Sequence, residues 1–273
     1  MSRGFKSILL HVALVAGAVL ALIPMGWMVS ASFMAPGEAN TFPPRFVPAH
    51  PTLVHYQTLF GRLDLGRYAL NSLIVAVAGT ASCLLITSLA GYAFAKLRFP
   101  GRDGTFRLLL GALVIPSQVS MLPLFLLMRE LGLVNTYLGA IIPAMAPIFG
   151  IFMVRQFAGT IPDDLLDAAR LDGASEWRIY RSIVLPVIAP VLVTLAIFTL
   201  LATWNDFMWP LIILSDETKH TLPVALASLS GEHAQDTELM MAGSVVTTLP
   251  VLAVFLVLQR FYIQGIMAGS VKG

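Results

Sequence analysis

The chain has 273 residues, enough for a large soluble domain, but 57% of them are hydrophobic and only 12% charged. A globular domain usually carries about 25% charged residues. With a mean hydropathy of +0.82, the polar surface is too small to cover a water-soluble body, and the chain reads as an all-α integral membrane protein. A net charge of +2 argues against a nucleic-acid partner, and a single cysteine, Cys83, excludes intramolecular disulfides. The histidines His11, His50, His55, His220 and His233 are scattered and lack metal-ligand spacing. No GxxxxGKS/T phosphate loop occurs, so nucleotide hydrolysis of that kind would need another protein.

A bilayer core of about 30 Å takes about 20 apolar helical residues, and six stretches qualify: near 8–30, 70–95, 108–128, 138–154, 187–212 and 241–259. Arg3 and Lys6 precede the first as in a signal peptide. Its apolar run is about 22 residues, however, against the roughly 7–15 of a removable segment, so it reads as a retained span. Outer loops are expected at 31–69, 129–137 and 213–240, a cytoplasmic loop at 155–186 and a tail at 260–273. Six spans place both termini on one side. Of the 17 lysines and arginines, only Arg45, Arg62, Arg67, Arg129 and Lys219 fall on the other side, which makes the terminal side cytoplasmic.

In chain order, the first outer loop holds Pro36, Pro43, Pro44, Pro48 and Pro51 and should be irregular. The third span carries Ser117 and Gln118 beside Pro116, with Pro123 about two turns on from that proline; the two prolines are expected to kink the helix. The fourth span contains Pro143 and Pro147, tolerable where neighbours satisfy the freed carbonyls. Asp206, in the fifth, is the only acid placed within a span, with Asn205 beside it and Trp204 and Trp209 flanking it. Rings and hydrogen-bonding groups together suit a sugar path, for which Ser117 and Gln118 are candidates as well as Trp204, Asn205, Asp206 and Trp209. An interfacial aromatic belt with a structural Asp–Asn contact also fits the residues around Asp206. In the last outer loop, Leu222–Leu229 is apolar but too short to span, and Ser230, Gly231, Glu232 and His233 lie in a polar, exposed tip.

The segment Thr160 to Pro190 is too polar to span and too well patterned for a passive linker. Thr160 and Asp163 have capping-box spacing, with Pro162 in the first turn. Asp163 and Asp164 complement the helix dipole. Gly173 offers a stop, and Ser175 can cap a second helix ending before Pro186. The result is a helix near 161–171, a glycine corner and another helix. Leu165, Ala168, Ala169 and Leu171 give the first helix an apolar side of small and medium residues that a partner could approach.

The run Asp167-Ala168-Ala169-x-x-Asp172-Gly173-Ala174, followed by Ile183-x-Leu185-Pro186 and Pro190, resembles the EAA loop of binding-protein-dependent ABC importer permeases. Asp167 stands where that family usually has Glu. Further runs are similar to the carbohydrate branch: Pro116-x-Gln118, Leu131 to Thr136, Trp204-Asn205-Asp206-x-x-Trp209-Pro210, Leu222-Pro223, and Gln259-Arg260-Phe261 to Gly273. The six-span form resembles the smaller permease of maltose- and trehalose-type importers.

That resemblance implies a type I ABC importer permease fold, working by alternating access in the cytoplasmic membrane of a prokaryote. Its partners would be a second homologous permease in a heterodimer, two ATPase subunits and an extracytoplasmic solute-binding protein. ATP and Mg would sit on the ATPases, and this chain would be neither an enzyme nor a cofactor carrier. Asp163, Asp164, Leu165, Asp167, Ala168, Ala169, Asp172, Gly173 and Ala174 would engage the ATPase, with Asp167 facing a basic residue there. Gly265, Gly269, Lys272 and Gly273 of the tail would also lie near it, although glycine every fourth residue argues against a free helix. Ser230, Gly231, Glu232 and His233 would meet the binding protein. The solute would be a disaccharide or oligosaccharide, with a polyol or glycerol phosphate as the alternative on the same machinery. A secondary transporter would carry more ionisable residues at span depth.

Overall fold

The computed structural model describes residues 3–232 and 236–270. Among these, the regular elements are all helical. In chain order they are α1 (Arg3–Ala31), α2 (Val54–Gly61), α3 (Leu65–Lys96), α4 (Arg102–Ala112), α5 (Ser117–Glu130), α6 (Tyr137–Ile141), α7 (Ile148–Gly159), α8 (Asp163–Leu171), α9 (Glu176–Ile179), α10 (Leu185–Trp204), α11 (Met208–Ile213), α12 (Leu222–Glu232) and α13 (Thr237–Ser270). Four helices are long and apolar enough to cross a membrane, or six spans if two bent pairs are each taken as one.

The bent pairs correct the expectation of continuous helices. The stretch 108–128 is α4 and α5 meeting at 110°. Pro116 is extended (φ −60°, ψ 135°) and serves as the N-cap of α5; it also disfavours helical geometry at Ile115, so the chain turns rather than kinks. The stretch 138–154 is broken in the same way. A 3₁₀ turn at Ile142–Ala144 follows α6, and α7 restarts after an extended Pro147, with a 44° bend between the halves. The fifth predicted span stops at Trp204, and Met208–Ile213 forms the separate α11. The last span continues without a break past residue 259 to Ser270, so Gly265 and Gly269 lie in a helix after all. Each glycine costs only about 1 kcal/mol, and extending an existing helix needs no new nucleus.

The chain packs as two compact units. The first comprises Met1–Arg67 with Leu222–Pro250. In it, α1 presents exposed apolar side chains all along Ile8 to Ile23, and its 25 residues from Ser7 to Ala31 reach about 37 Å, enough for a bilayer core. The proline-rich loop after it is organised by Glu38, whose carboxylate accepts hydrogen bonds from the Ala49 N–H (2.7 Å) and the Ala35 N–H (3.1 Å) and pairs with Arg45. Those backbone donors, with Arg45, hold the Glu38 carboxyl below the usual carboxylate range. Buried Glu238, in the first turn of α13, accepts from the Ala39 N–H (2.7 Å). The apolar residues of Leu222–Leu229 form the inner face of α12, burying Leu222, Val224, Ala225 and Leu229.

The second unit comprises Tyr68–Thr221 with Val251–Gly273. Its main core joins α3, α7, α8, α9 and α10 through Cys83, Tyr92, Val154, Ala158, Leu166, Ile179, Val184, Ile188 and Leu195. α3 and α7 approach closely at Gly91, where an added methyl would run into the Val154 side chain. A second cluster gathers Val75, Met128, Ile141, Trp209 and Ile213 near the other end of α3.

Candidate functional site

The elbow between α7 and α10 starts differently from its sequence pattern. Thr160 is the C-cap of α7, and its hydroxyl donates back to the Phe157 carbonyl (2.7 Å), so the capping box with Asp163 does not form. Extended Pro162 is the N-cap of α8. The Asp163 carboxylate instead accepts a hydrogen bond from Lys96 Nζ at 2.7 Å. That bond, and then the lysine's charge, hold the Asp163 carboxyl below its ordinary value.

The other end of α8 closes as expected. Gly173 has φ +79°, a left-handed conformation that glycine adopts without a Cβ penalty. The Gly173 N–H donates to the Arg170 carbonyl and the Ala174 N–H to the Ala169 carbonyl, both at 3.0 Å, which is the Schellman pattern. Ser175 Oγ then accepts from the Arg178 N–H at 3.4 Å and caps α9. The second helix does not end before Pro186. It runs through a π turn at Tyr180–Val184 straight into α10. The wider turn lies directly ahead of Pro186, where an α turn would set the proline ring against the carbonyl four residues back.

Side-chain directions divide the predicted contact set. Leu166 is buried, and Ala169 and Ala174 pack against the core, so Ala169 belongs to the inner face. Leu165, Ala168, Leu171, Asp164, Asp167 and Asp172 face outward, Leu171 at 90% exposure. Asp167 is already engaged, because Arg170 Nη1 donates to it at 2.6 Å. Arg170 also donates through Nε to Glu176 Oε1 at 2.7 Å, and Tyr92 Oη donates to Glu176 Oε2 at 2.6 Å. Glu176 first, and Asp167 second, raise the Arg170 pKa above its ordinary value. Asp163, Asp167, Arg170 and Glu176, with Lys96, Arg98 and Arg102, line an open polar cleft of about 800 Å³.

In the sequence, Arg170 and Glu176 are charges of a polar loop, Lys96 is one of the basic residues of the terminal side, and nothing singles out Tyr92. Tyr92 and Lys96 sit four residues apart in the last turns of α3, and nothing local in the sequence pairs them with residues 67 and 84 positions away.

The other candidates stand apart from the elbow. Ser117 and Gln118 are exposed in the first turn of α5, hydrogen-bonded to each other at 3.3 Å. Trp204 is buried. Trp209 is also buried, with its indole N–H donating to the Gly139 carbonyl at 3.0 Å. Asp206 Oδ1 accepts from the Trp209 N–H at 3.4 Å, and exposed Asn205 donates to the Leu201 carbonyl at 2.8 Å. Both rings are thus buried within this chain, and the side chains of Asn205 and Asp206 bond within their own turn. Ser230, Gly231 and Glu232 end α12, Gly265 and Gly269 lie in α13, and His233, Lys272 and Gly273 lie outside the described residues. Among the described residues no group of His, Cys, Asp or Glu could hold a metal ion.

Comparison with known proteins agrees with this geometry. Residues 84–266, well over half the chain and including the whole elbow, match the family described as binding-protein-dependent transport system inner membrane component. The arabinooligosaccharides transport system permease protein AraQ of Halalkalibacterium halodurans is 38% identical over 259 residues, 94% of this chain and 93% of that protein. The lactose transport system permease protein LacG of Rhizobium radiobacter is 33% identical over 272 residues, 100% and 98% of the two chains. Among solved structures, a chain of a bacterial ABC transporter that imports the acidic polysaccharide alginate shares the fold, with a TM-score of 0.84 at 24% identity over 96% of this chain and 99% of that one. Spans of this length, an elbow of this form and relatives matched almost end to end lead to one conclusion: the chain is a multi-pass membrane protein that belongs to the inner-membrane permease family of binding-protein-dependent ABC importers.

Proposed function

We propose that this chain is a permease of an ATP-driven importer that carries an oligosaccharide or disaccharide across the cytoplasmic membrane of a prokaryote. It works by alternating access beside a second, related permease, and an extracytoplasmic binding protein delivers the sugar. Two ATPase subunits hold ATP and Mg, and α8 is the helix they push. The observation that carries the reading is the elbow itself: a short helix closed by a left-handed glycine, with Leu165, Ala168 and Leu171 left uncovered beside acidic groups. That face is apolar enough to seat in a cleft and too acidic for an anionic lipid surface. The sugar assignment is supported by curated relatives named for arabinooligosaccharides, lactose, and melibiose, raffinose and stachyose.

Both termini face the cytoplasm in this reading, which the charge bias supports. In a Cys83→Ala background, single cysteines replacing exposed His50 and Glu232 should react with an impermeant thiol reagent added to intact cells, and one replacing Arg102 should not. The converse labelling inverts the orientation.

The central test is co-purification followed by ligand screening. A tagged chain should bring down an ATPase and a second permease of the same family, and the cognate binding protein should be stabilised against heat by at least one of lactose, raffinose, stachyose and arabinotriose. A chain that purifies alone and transports in liposomes without ATP defeats the importer reading. A binding protein that ignores all four sugars and responds to glycerol phosphate or a polyol redirects the solute.

A further inference from the structure

The elbow is held at both ends by one turn of one helix. Lys96, the last residue of α3, has a side chain only 7% exposed and directs all its bonds into the start of the elbow. Nζ donates to Asp163 Oδ1 (2.7 Å), to the Ile161 carbonyl (2.6 Å) and to the Gly159 carbonyl (3.3 Å). An ammonium has three donors, so none is left over. One cation thereby satisfies carbonyls at the negative end of α7 and a carboxylate at the positive end of α8. It sets the direction in which α8 leaves α7.

One turn earlier on α3, Tyr92 holds the other end. Its hydroxyl bonds to Glu176, and Glu176 accepts Arg170 near the C-terminus of α8. Asp163 and Arg170 are seven residues, or about 10 Å of helix, apart. Two points that far apart fix an axis, whereas one point would leave a pivot.

We infer that Lys96 is a positioning residue for coupling: with Tyr92 it makes α8 rigid with the end of α3, so that a push on α8 moves a 32-residue helix instead of bending the elbow. This rests on the reading of α8 as the coupling helix. The consequence is directional. Loss of the ammonium frees the N-terminal end of α8 and leaves the Tyr92–Glu176–Arg170 brace in place.

The test uses the complete complex in nanodiscs. In the Cys83→Ala background, spin labels are placed on cysteines replacing Leu85 of α3 and either Pro162, the exposed N-cap of α8, or exposed Arg178, just past its C-terminal corner. They report the distance distribution between α3 and each end of α8, and hydrolysis is measured on the unlabelled complexes. Stimulation of ATP hydrolysis is measured with the cognate binding protein saturated by an equal mixture of lactose, raffinose, stachyose and arabinotriose. Lys96→Met should widen the Pro162 distribution and lower the stimulation ratio about threefold or more, the size of effect typical of residues that carry coupling without touching either ligand. Lys96→Arg, which keeps a charged donor, should restore most of both. Tyr92→Phe removes a single hydroxyl and should widen the Arg178 distribution, which provides the geometric comparison should Lys96→Met fail to assemble. A Pro162 distribution that stays narrow in Lys96→Met, an Arg178 distribution that stays narrow in Tyr92→Phe, or full stimulation in an assembled Lys96→Met complex overturns the inference and leaves the elbow reading standing. Leu165→Asp on the outer face of α8 is the separate control. If stimulation survives that change, the elbow reading itself falls, and the role of Lys96 in coupling falls with it.

Discussion

The two ends of α3 are fastened in opposite ways. At Lys96 and Tyr92 the partners are mostly ionic and lie at an open cleft: Asp163, Asp167, Arg170 and Glu176 are each at least one-third exposed. At Asn71, 25 residues and about 38 Å away, the fastening is between neutral groups and centred on a buried amide. Asn71 is 3% exposed, its amide donates to the Thr218 (3.0 Å) and His220 (2.9 Å) carbonyls, and its oxygen accepts from the Tyr137 hydroxyl at 2.8 Å. Asn135, with φ +60°, extends the same network through the Ile213 carbonyl and the Asp216 N–H. The buried Asn71 amide cannot release its partners one at a time at no cost, because each release leaves its own polar atom orphaned in low dielectric. Exposed ion pairs exchange with water and other partners at little cost. One end of the helix is therefore held by bonds on which stability depends, and the other by bonds that position α8 while adding little to stability, with Lys96 as their buried member.

The largest expected effect is at the fixed end. Asn71→Leu removes three hydrogen bonds and leaves two carbonyls and a hydroxyl without their partner. Each of these half-buried hydrogen bonds is worth about 1 kcal/mol net, so thermal unfolding in detergent should show a loss of about 3 kcal/mol. Tyr137→Phe deletes one bond of the three and should cost about 1 kcal/mol. Neither loss should depend on added salt. A salt-dependent loss would mean that charges at this end, Asp216 and Lys219 among them, carry the fastening, and the contrast between the two ends would collapse.

What could be read in advance follows the range of the interactions. The glycine corner was legible because its hydrogen bonds all lie within residues 169–174, and Gly173 is a local signal. The six apolar stretches were legible because a bilayer imposes a length. The breaks inside two of them were not, although Pro116 and Pro147 marked the places, because a proline kink and a full turn share one sequence signal. The Thr160 hydroxyl had two uses of similar energy and took the one that closes α7. Trp209 looked available to a sugar because composition does not reveal that the Gly139 carbonyl lies 3.0 Å from its indole nitrogen. Lys96 is the instructive omission: a basic residue ending an apolar helix reads as an interfacial anchor, and only tertiary structure brings Asp163 to it.

A middle-sized effect should sharpen the contrast. Arg170→Met cuts the links from α8 to Glu176 and Asp167, but these are partly exposed pairs worth about 0.2–1 kcal/mol each. The melting temperature should barely move, while binding-protein stimulation of ATP hydrolysis falls. Salt at about 1 M, where the screening length is about 3 Å, should reproduce part of that fall in the unmodified protein. The outcome to look for is separation: stability lost with Asn71, coupling lost with Arg170. If Arg170→Met lowers stability as much as Asn71→Leu does, both ends are structural cores of the same kind.

The smallest effect concerns pH at the Lys96 brace. The Asp163 carboxyl is held below its ordinary value, first by the hydrogen bond from Lys96 and then by the lysine's charge. A carboxylate whose pKa is depressed by folding contributes fully above its unfolded value, about 3.9, and loses that contribution as pH falls through the lower folded value. The width of the α3–α8 distance distribution should therefore be constant between pH 8 and pH 5 and grow only below about pH 4. Growth should stop short of that caused by Lys96→Met, since the ammonium still holds the Ile161 and Gly159 carbonyls when Asp163 is protonated. Asp163→Asn, which removes that charge at every pH, should show the intermediate width already between pH 8 and pH 5, where Glu176 of the other brace, also held low by Arg170 and Tyr92, is still ionised. Widening of the unmodified protein that sets in between pH 8 and pH 5, or an Asp163→Asn protein as narrow there as the unmodified one, would move the titrating group elsewhere in the cleft and leave the Lys96–Asp163 pair a bystander.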